Sequence, residues 1–406
     1  MDKKVVELFA GVGGFHLGFK KSDKNWDFAW ANQWEPSRKV QYAFDCYKKH
    51  FGEETICSNE DIAKVETGDI PKHSVLVGGF PCQDYSVAAT GAKGIQGKKG
   101  VLWWEIYRIL KSKEPPFVLL ENVDRLLKSP ASQRGRDFGV MLSCLANLGY
   151  SVQWRVINAA DYGFAQRRRR VFIFAYKNDT YYRESLLKYS PEEIVYDKGF
   201  FQQQFQVEAN YNNILEYTQL KFGSNQDIEE TSDVFSLKFH NTGFMANGRI
   251  YTADTKPKYT GVNKILCDII EAKSIDESYY INDEEEQKFK YMKGSKRIER
   301  TSKSGHKYIF SEGDMAFPDP LDRPGRTMLT SEASKNRSTH IIVDPIKNKL
   351  RKLTPIECER LNGFEDDWTN TGMTERFRYF CMGNALVVGL VTKMSIELSD
   401  IIDKEK

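Results

Sequence analysis

Short β-branched apolar runs alternate with helical apolar patterns from Val5 to Tyr176, composition changes abruptly at Lys177, and regular patterning returns near His340. These observations predict an α/β chain: a doubly wound, Rossmann-like parallel sheet built from residues 1–176 and 340–406, with a second, smaller domain inserted over 177–339. At 406 residues the chain exceeds the size at which a single core stops growing, which also favours two domains. Lys and Arg number 59 against 56 Asp and Glu, a net charge of +3 that is too balanced to establish a polyanionic partner without knowing where the basic residues cluster. The seven cysteines are scattered and form no C-x-x-C pair, so neither a metal site nor a disulfide framework is expected, and a reducing cytoplasm fits. No signal peptide precedes Val5 and no apolar run approaches the roughly 18 residues that span a bilayer, so a soluble protein is expected.

In chain order, Val5 to Phe9 reads as a strand, followed by a glycine turn and a helical pattern through Phe15 and Phe19. Gly11, Gly13 and Gly14 let the backbone approach a ligand closely, and the helix start offers free N–H groups. His16 stands where a dinucleotide fingerprint needs its third glycine, which disfavours a pyrophosphate and suits a smaller adenosyl ligand with a carboxylate tail, such as S-adenosylmethionine. A second strand, Asp27 to Trp34, delivers Glu35 about 20 residues past the glycines, where a carboxylate meets ribose hydroxyls; Trp34 is placed to stack on adenine, and Asp61 with Ile62 to meet its amino group. Val75 to Val77 forms a buried strand stopped by Gly78, Gly79 and Pro81, so Cys82 is presented at a strand's carboxyl end, either as a nucleophile or as a small buried hydrophobe. Residues 90–100, with four glycines and three lysines, read as a loop, and the strand Phe117 to Leu120 places Glu121 at another carboxyl end. Four arginines, 167–170, then run straight into an apolar strand, which a solvated charge run seldom does, so some should point into a site. The inserted domain carries a basic stretch at 293–307, suited to phosphates and base edges. Thr354, Pro355 and Glu357 cap a helix to Leu361, and the last helix should pack back on the first domain.

Together these segments resemble the DNA (cytosine-5) methyltransferases of the bacterial restriction-modification type, over nearly the whole chain. The family order appears as LFAGVGG, NQWEP, GGFPCQDYS, LLENV, AQRRRRVF, RKLTPIECERLNGFEDDW and MGNALVVGLV. Cys381 stands where the family often has Gln, and the family's Thr-Leu/Ile/Val pair of the recognition domain is best matched by Thr327 and Met328. The resemblance implies an S-adenosylmethionine methyltransferase domain plus a target-recognition domain. It adds Phe9, Pro81, Asn384 and Ala385 to the cofactor site, and makes Cys82 the nucleophile and Glu121 the acid. Arg170 and Arg168 would hold the base and phosphate, and their positive field would lower the thiol pKa.

Carbon 5 of cytosine takes a methyl group only after covalent addition at carbon 6, which a thiolate performs well, and the base must first leave the stack. The loop at 90–100 would close over it, with Ser86 and Gln96 filling the gap in the duplex. Arg297, Lys303, Arg326, Thr327 and Arg337 are the expected DNA contacts. The partners implied are double-stranded DNA and a cognate restriction endonuclease acting on the same site without direct contact, with the enzyme a monomer. A tRNA cytosine-5 methyltransferase of the same fold is disfavoured by the length of the inserted domain. A silent DNA-binding relative is disfavoured by intact Cys82, Glu121 and both arginines.

Overall fold

The structure, a computed structural model, describes residues 1–36, 38–80, 102–218, 220–302, 305–332 and 334–405. They group into two compact units: Met1–Tyr162 with Arg169–Gly261 and Val388–Lys406, and Gly163–Arg168 with Val262–Val387. These divide the chain elsewhere than the composition does. Residues 177–261 belong with the sheet, and of the stretch after His340 only the last helix does.

The first unit is organised on β1 (Lys4–Leu8), a strand in which Val5, Val6, Glu7 and Leu8 are all buried. It pairs in parallel with β2 (Asp27–Asn32) and β4 (Val75–Gly79); β3 (Ile56–Ser58) adds to β2, and β5 (Phe117–Val123) to β4. These strands alternate with the helices α1 (Gly14–Lys20), α2 (Tyr42–Phe51) and α3 (Leu102–Lys113), while α4 (Arg136–Asn147) leads into β6 (Tyr150–Asn158).

The expected all-parallel sheet up to Tyr176 is corrected here. β7 (Arg169–Lys177) inserts between β5 and β6 and runs antiparallel to both. A parallel return needs a crossover of a dozen or more residues, usually helical, whereas only the short turn Ala159–Tyr162 and an irregular segment separate β6 from β7. Beyond β6 the sheet continues antiparallel through β9 (Thr242–Ala246) and β10 (Arg249–Ala253) to β8 (Leu215–Tyr217).

Both faces of the sheet are covered. α3 and α4 bury Trp103, Ile106, Phe138 and Met141 against Val6, Leu76, Val118 and Trp154. On α1, Gly18 lets the helix Val388–Ile402 approach so closely that an added Cβ would stand 2.8 Å from Val391. That final helix packs in turn on the helix Phe200–Gln204.

The second unit holds two antiparallel pairs, β11 (Lys296–Thr301) with β12 (Lys307–Glu312) and β13 (Ile341–Val343) with β14 (Leu350–Lys352). It also holds the helices Asp283–Lys293, Pro355–Asn362 and Glu375–Asn384. Its interior is held by ions: fully buried Arg351 reaches both Asp344 and Glu357 at 2.7 Å, and Glu357 closes the expected capping box with Thr354.

Candidate active site

β1 ends in a turn whose backbone is forced open. Phe9, Gly11 and Gly13 all have positive φ, at 56°, 57° and 87°. For Phe9 that is a strained conformation, the kind that persists where the surroundings fix it. At Gly11 an added Cβ would meet nothing within 4 Å, whereas at Gly13 it would lie 2.5 Å from the Phe51 ring. The turn is therefore open on the Gly11 side and packed on the Gly13 side. Gly14 begins α1.

His16, which breaks the dinucleotide pattern, is part of that packing. It is stacked between Phe28 and Phe51 at 3.9 and 3.7 Å, with Nδ1 2.9 Å from the Tyr47 hydroxyl. Burial above all, with Lys20 adding to it, holds its pKa down at about 3. The Tyr47 hydroxyl donates to Glu7 of β1 at 3.0 Å, and burial pushes that carboxyl up to about 8. The turn thus rests on a buried, uncharged Glu7–Tyr47–His16 chain.

At the end of β2, Trp34 is 37% exposed beside the turn's partner strand. Glu35, expected on the ribose, is committed elsewhere. Its carboxylate accepts the backbone N–H of Ala43 in the first turn of α2, and burial raises its pKa. The side chain that reaches the glycine turn is instead Gln33, whose Oε1 accepts the Gly11 N–H at 2.7 Å. Sequence reasoning misses Gln33 because a lone Gln carries no motif; its signal is its position at the end of β2. Asp61 caps its own turn through the Ala63 N–H, and Ile62 is buried, its carbonyl held by Arg108.

The carboxyl ends of β4 and β5 meet at the second cluster. Gly79 lies opposite Glu121 in the ladder, and a Cβ there would stand 3.2 Å from Glu121 Oε2, so the glycine leaves room for the carboxylate. Asn122 donates to the Phe80 carbonyl at 2.8 Å, and so fixes the last described residue before Pro81 and Cys82 to the strand that carries Glu121. Pro81, Cys82, Ser86, Gln96 and Lys303 lie outside the described residues.

Arg170 crosses from β7 and bonds Glu121 through Nε at 2.7 Å. Its neighbours go elsewhere: Arg169 faces the other way because successive strand residues alternate, and Arg168 lies before the strand begins. Arg169 is exposed and pairs with Asp124 at 3.2 Å. Arg168, expected to grip the base and phosphate, is instead buried within the second unit, where it donates to the carbonyls of Met328 and Gly383 at 3.1 and 3.0 Å. That segment is a structural clasp. Gln166 accepts the Met328 N–H and donates to Asn362, and the Thr327 hydroxyl donates to the Arg167 carbonyl. Gly383 packs so tightly on Thr330 that a Cβ would come within 2.3 Å of its nitrogen. Asn384 and Ala385 follow at the helix end, with the Ala385 N–H on the Cys381 carbonyl.

Two of the arginines expected on DNA are likewise committed. Arg326 forms a two-pronged pair with buried Asp319, at 2.7 and 3.1 Å, which Lys293 also meets at 2.8 Å. Burial alone would raise the Asp319 pKa, but Arg326, His340 and Lys293 hold it at about 2. Arg337 bonds the Gly313 carbonyl and Glu312. Arg297 is exposed on β11 with no ion pair among the described residues.

The model of the family described as C-5 cytosine-specific DNA methylase matches residues 3–399. The chain is 54% identical to the type II methyltransferase M.Sau3AI of Staphylococcus aureus over 98% of its own length and 96% of that protein. It is 27% identical to M1.ScrFI of Lactococcus lactis subsp. cremoris, over 99% of this chain and 79% of that one. Among solved structures, a DNMT2 variant from Spodoptera frugiperda superposes with a TM-score of 0.60 at 15% identity, covering 99% of this chain and all of the other, a likeness of fold alone.

Proposed function

The chain belongs to the C-5 cytosine-specific DNA methylase family, and we propose on that premise that it methylates a flipped cytosine at a defined site in duplex DNA, with S-adenosylmethionine as donor. The observation that carries the reading is the meeting of β4, β5 and β7. Glu121 is clamped by Arg170 there, and Asn122 ties down the chain two residues before Cys82.

The open turn fits an adenosyl ligand. Space lies beside Gly11, Gln33 shapes its amide, and Trp34 presents an exposed ring at the neighbouring strand end. S-adenosylmethionine, when bound, supplies the electrophilic methyl group. Phe9, Gly11, Gly13, Gly14, Gln33 and Trp34 would hold it.

Cys82 adds through its sulfur to carbon 6 of the cytosine, which moves electron density onto carbon 5. Glu121 holds a proton against ring nitrogen 3 during that addition, and Arg170 fixes its carboxyl group in place. Once carbon 5 is methylated, loss of its hydrogen as a proton expels the thiol. We assign target recognition to residues 262–339 of the second unit. Its relative M.Sau3AI is a type II methyltransferase, which supports a role in shielding DNA from a restriction endonuclease that reads the same site. No helix among the described residues is long and apolar enough to cross a membrane, and we place the enzyme's work on DNA in the cytoplasm.

The test is Cys82→Ser. Methyl transfer should vanish while calorimetry still shows S-adenosylmethionine binding, and duplex DNA carrying 5-fluorocytosine should trap the wild type covalently but not the variant. Turnover by Cys82→Ser above a trace would remove the covalent mechanism.

A further inference from the structure

β11 and β12 form a two-stranded ribbon in which nine of the twelve strand residues are exposed, so the core of the second unit does not hold it in place. A lone hairpin is at best marginally stable in water. This one is braced at its base, where Lys296 donates to the Met292 carbonyl at 2.8 Å and lies 3.6 Å from Glu312, while Arg337 bonds Glu312 and the Gly313 carbonyl. The commitment of Arg337 is thereby explained: it holds the ribbon and is not itself a reader.

The register separates the two faces. Ile298 lies opposite Phe310 and Arg300 opposite Tyr308, so these share one face with Lys296 and Glu312. On that face the Arg300 guanidinium stacks 3.8 Å over the Phe310 ring, which stiffens the ribbon along its length. The other face carries Arg297 opposite Ser311, Glu299 opposite Ile309, and Thr301 opposite Lys307, whose ammonium lies 3.4 Å from Glu299 in an exposed pair that holds it only weakly, unlike the buried pair of Arg326. These are side chains that read base edges: Arg and Lys for guanine, Ser and Thr for several bases, and an aliphatic group for the thymine methyl. From Lys296 to Glu312 the ribbon carries five Lys or Arg against two Glu, a charge complementary to a polyanion. Six residues per strand extend roughly 20 Å, and the major groove of B-DNA admits a two-stranded ribbon.

We propose that this ribbon enters the major groove and that the Arg297–Thr301–Lys307–Ser311 face reads the target sequence, the Ile298–Arg300–Tyr308–Phe310 face serving as its stiffener. The proposal rests on the reading of the chain as a DNA methyltransferase and adds the recognising element. Arg326, held by Asp319, has no part in it.

The test uses full-length Arg297→Ala, Ser311→Ala and Tyr308→Ala with S-adenosylmethionine and a degenerate duplex pool read by bisulfite sequencing. All three sites are exposed, and thermal melting checks that each variant is folded. Arg297→Ala should lose about 10- to 100-fold of the preference at one base pair, and Ser311→Ala should relax a neighbouring position. Tyr308→Ala should keep the wild-type site. If both Arg297→Ala and Ser311→Ala select the wild-type site with undiminished discrimination, the ribbon is not the reader. Altered selection in Tyr308→Ala alone would overturn the assignment of faces. Failure of the wild type to methylate any cytosine in the pool would instead overturn the underlying enzymatic reading, so the two failures are distinct.

Discussion

Replacing Glu7 by Gln should change how stability depends on pH while leaving the protein folded at neutral pH. Glu7 is fully buried in β1, and its carboxyl accepts from the Tyr47 hydroxyl at 3.0 Å and from the backbone N–H of His16. Burial outweighs those two bonds and moves the pKa from 4.5 to about 8. At pH 7 the group is therefore a neutral acid, and an amide of the same shape replaces it nearly like for like.

The unfolded chain releases this proton near pH 4.5 and the folded chain only near 8. Its contribution to stability is thus fully present below 4.5 and is lost as pH rises, at no more than about 1.4 kcal/mol per pH unit. His16 works in the opposite sense. Its pKa falls from 6.5 to about 3, so its contribution is present above 6.5 and lost as pH falls towards 3. Between 4.5 and 6.5 the two slopes oppose each other, and from 6.5 to 8 Glu7 acts alone. Glu7→Gln removes one slope and keeps the other, so from pH 5 to 8 the variant should gain on the wild type by about 4 kcal/mol in all, levelling above 8. Urea midpoints for both proteins at each pH unit from 5 to 9 measure this difference. A difference that stays constant across that range refutes the buried neutral carboxyl.

Two further substitutions separate ligand contact from scaffold. Gln33→Ala should weaken S-adenosylmethionine binding in calorimetry more than Glu35→Ala does, because Gln33 reaches the Gly11 amide while the Glu35 carboxylate serves the α2 terminus. Glu35→Ala should instead lower stability by about 1 kcal/mol, the usual worth of a helix cap, with the recognised sequence unchanged; the reverse ranking in calorimetry would return Glu35 to the ribose. Arg326→Ala strips a buried carboxylate of its two-pronged partner and should cost about 3 kcal/mol by denaturant titration. Bisulfite sequencing should show its target site unaltered, and a relaxed site would make Arg326 a reader after all.

Much of the site could be read from the chain because its chemistry depends on local backbone. Glycines at the end of β1 mark an open turn whatever lies around them, an acid after an apolar run lies near a strand's carboxyl end, and a Thr-Pro-x-Glu string caps a helix. The family order of motifs then identified the reaction.

What only the tertiary structure decided is where equivalent side chains spend their hydrogen bonds. Four adjacent arginines look alike in sequence, yet strand alternation and a neighbouring segment send Arg170 to Glu121, Arg169 to Asp124 and Arg168 to two buried carbonyls. Arg326 and Arg297 have the same chemistry, but Asp319 lies against one and solvent against the other. The domain boundary was hidden for a similar reason. The Tyr- and Asn-rich composition after Lys177 reports the surface of that segment, whereas β9, a five-residue strand, joins it to the sheet through a ladder with β6. Partners distant in sequence leave no trace in local pattern, so the commitments of charged side chains and the edges of a sheet emerge only when the chain is folded.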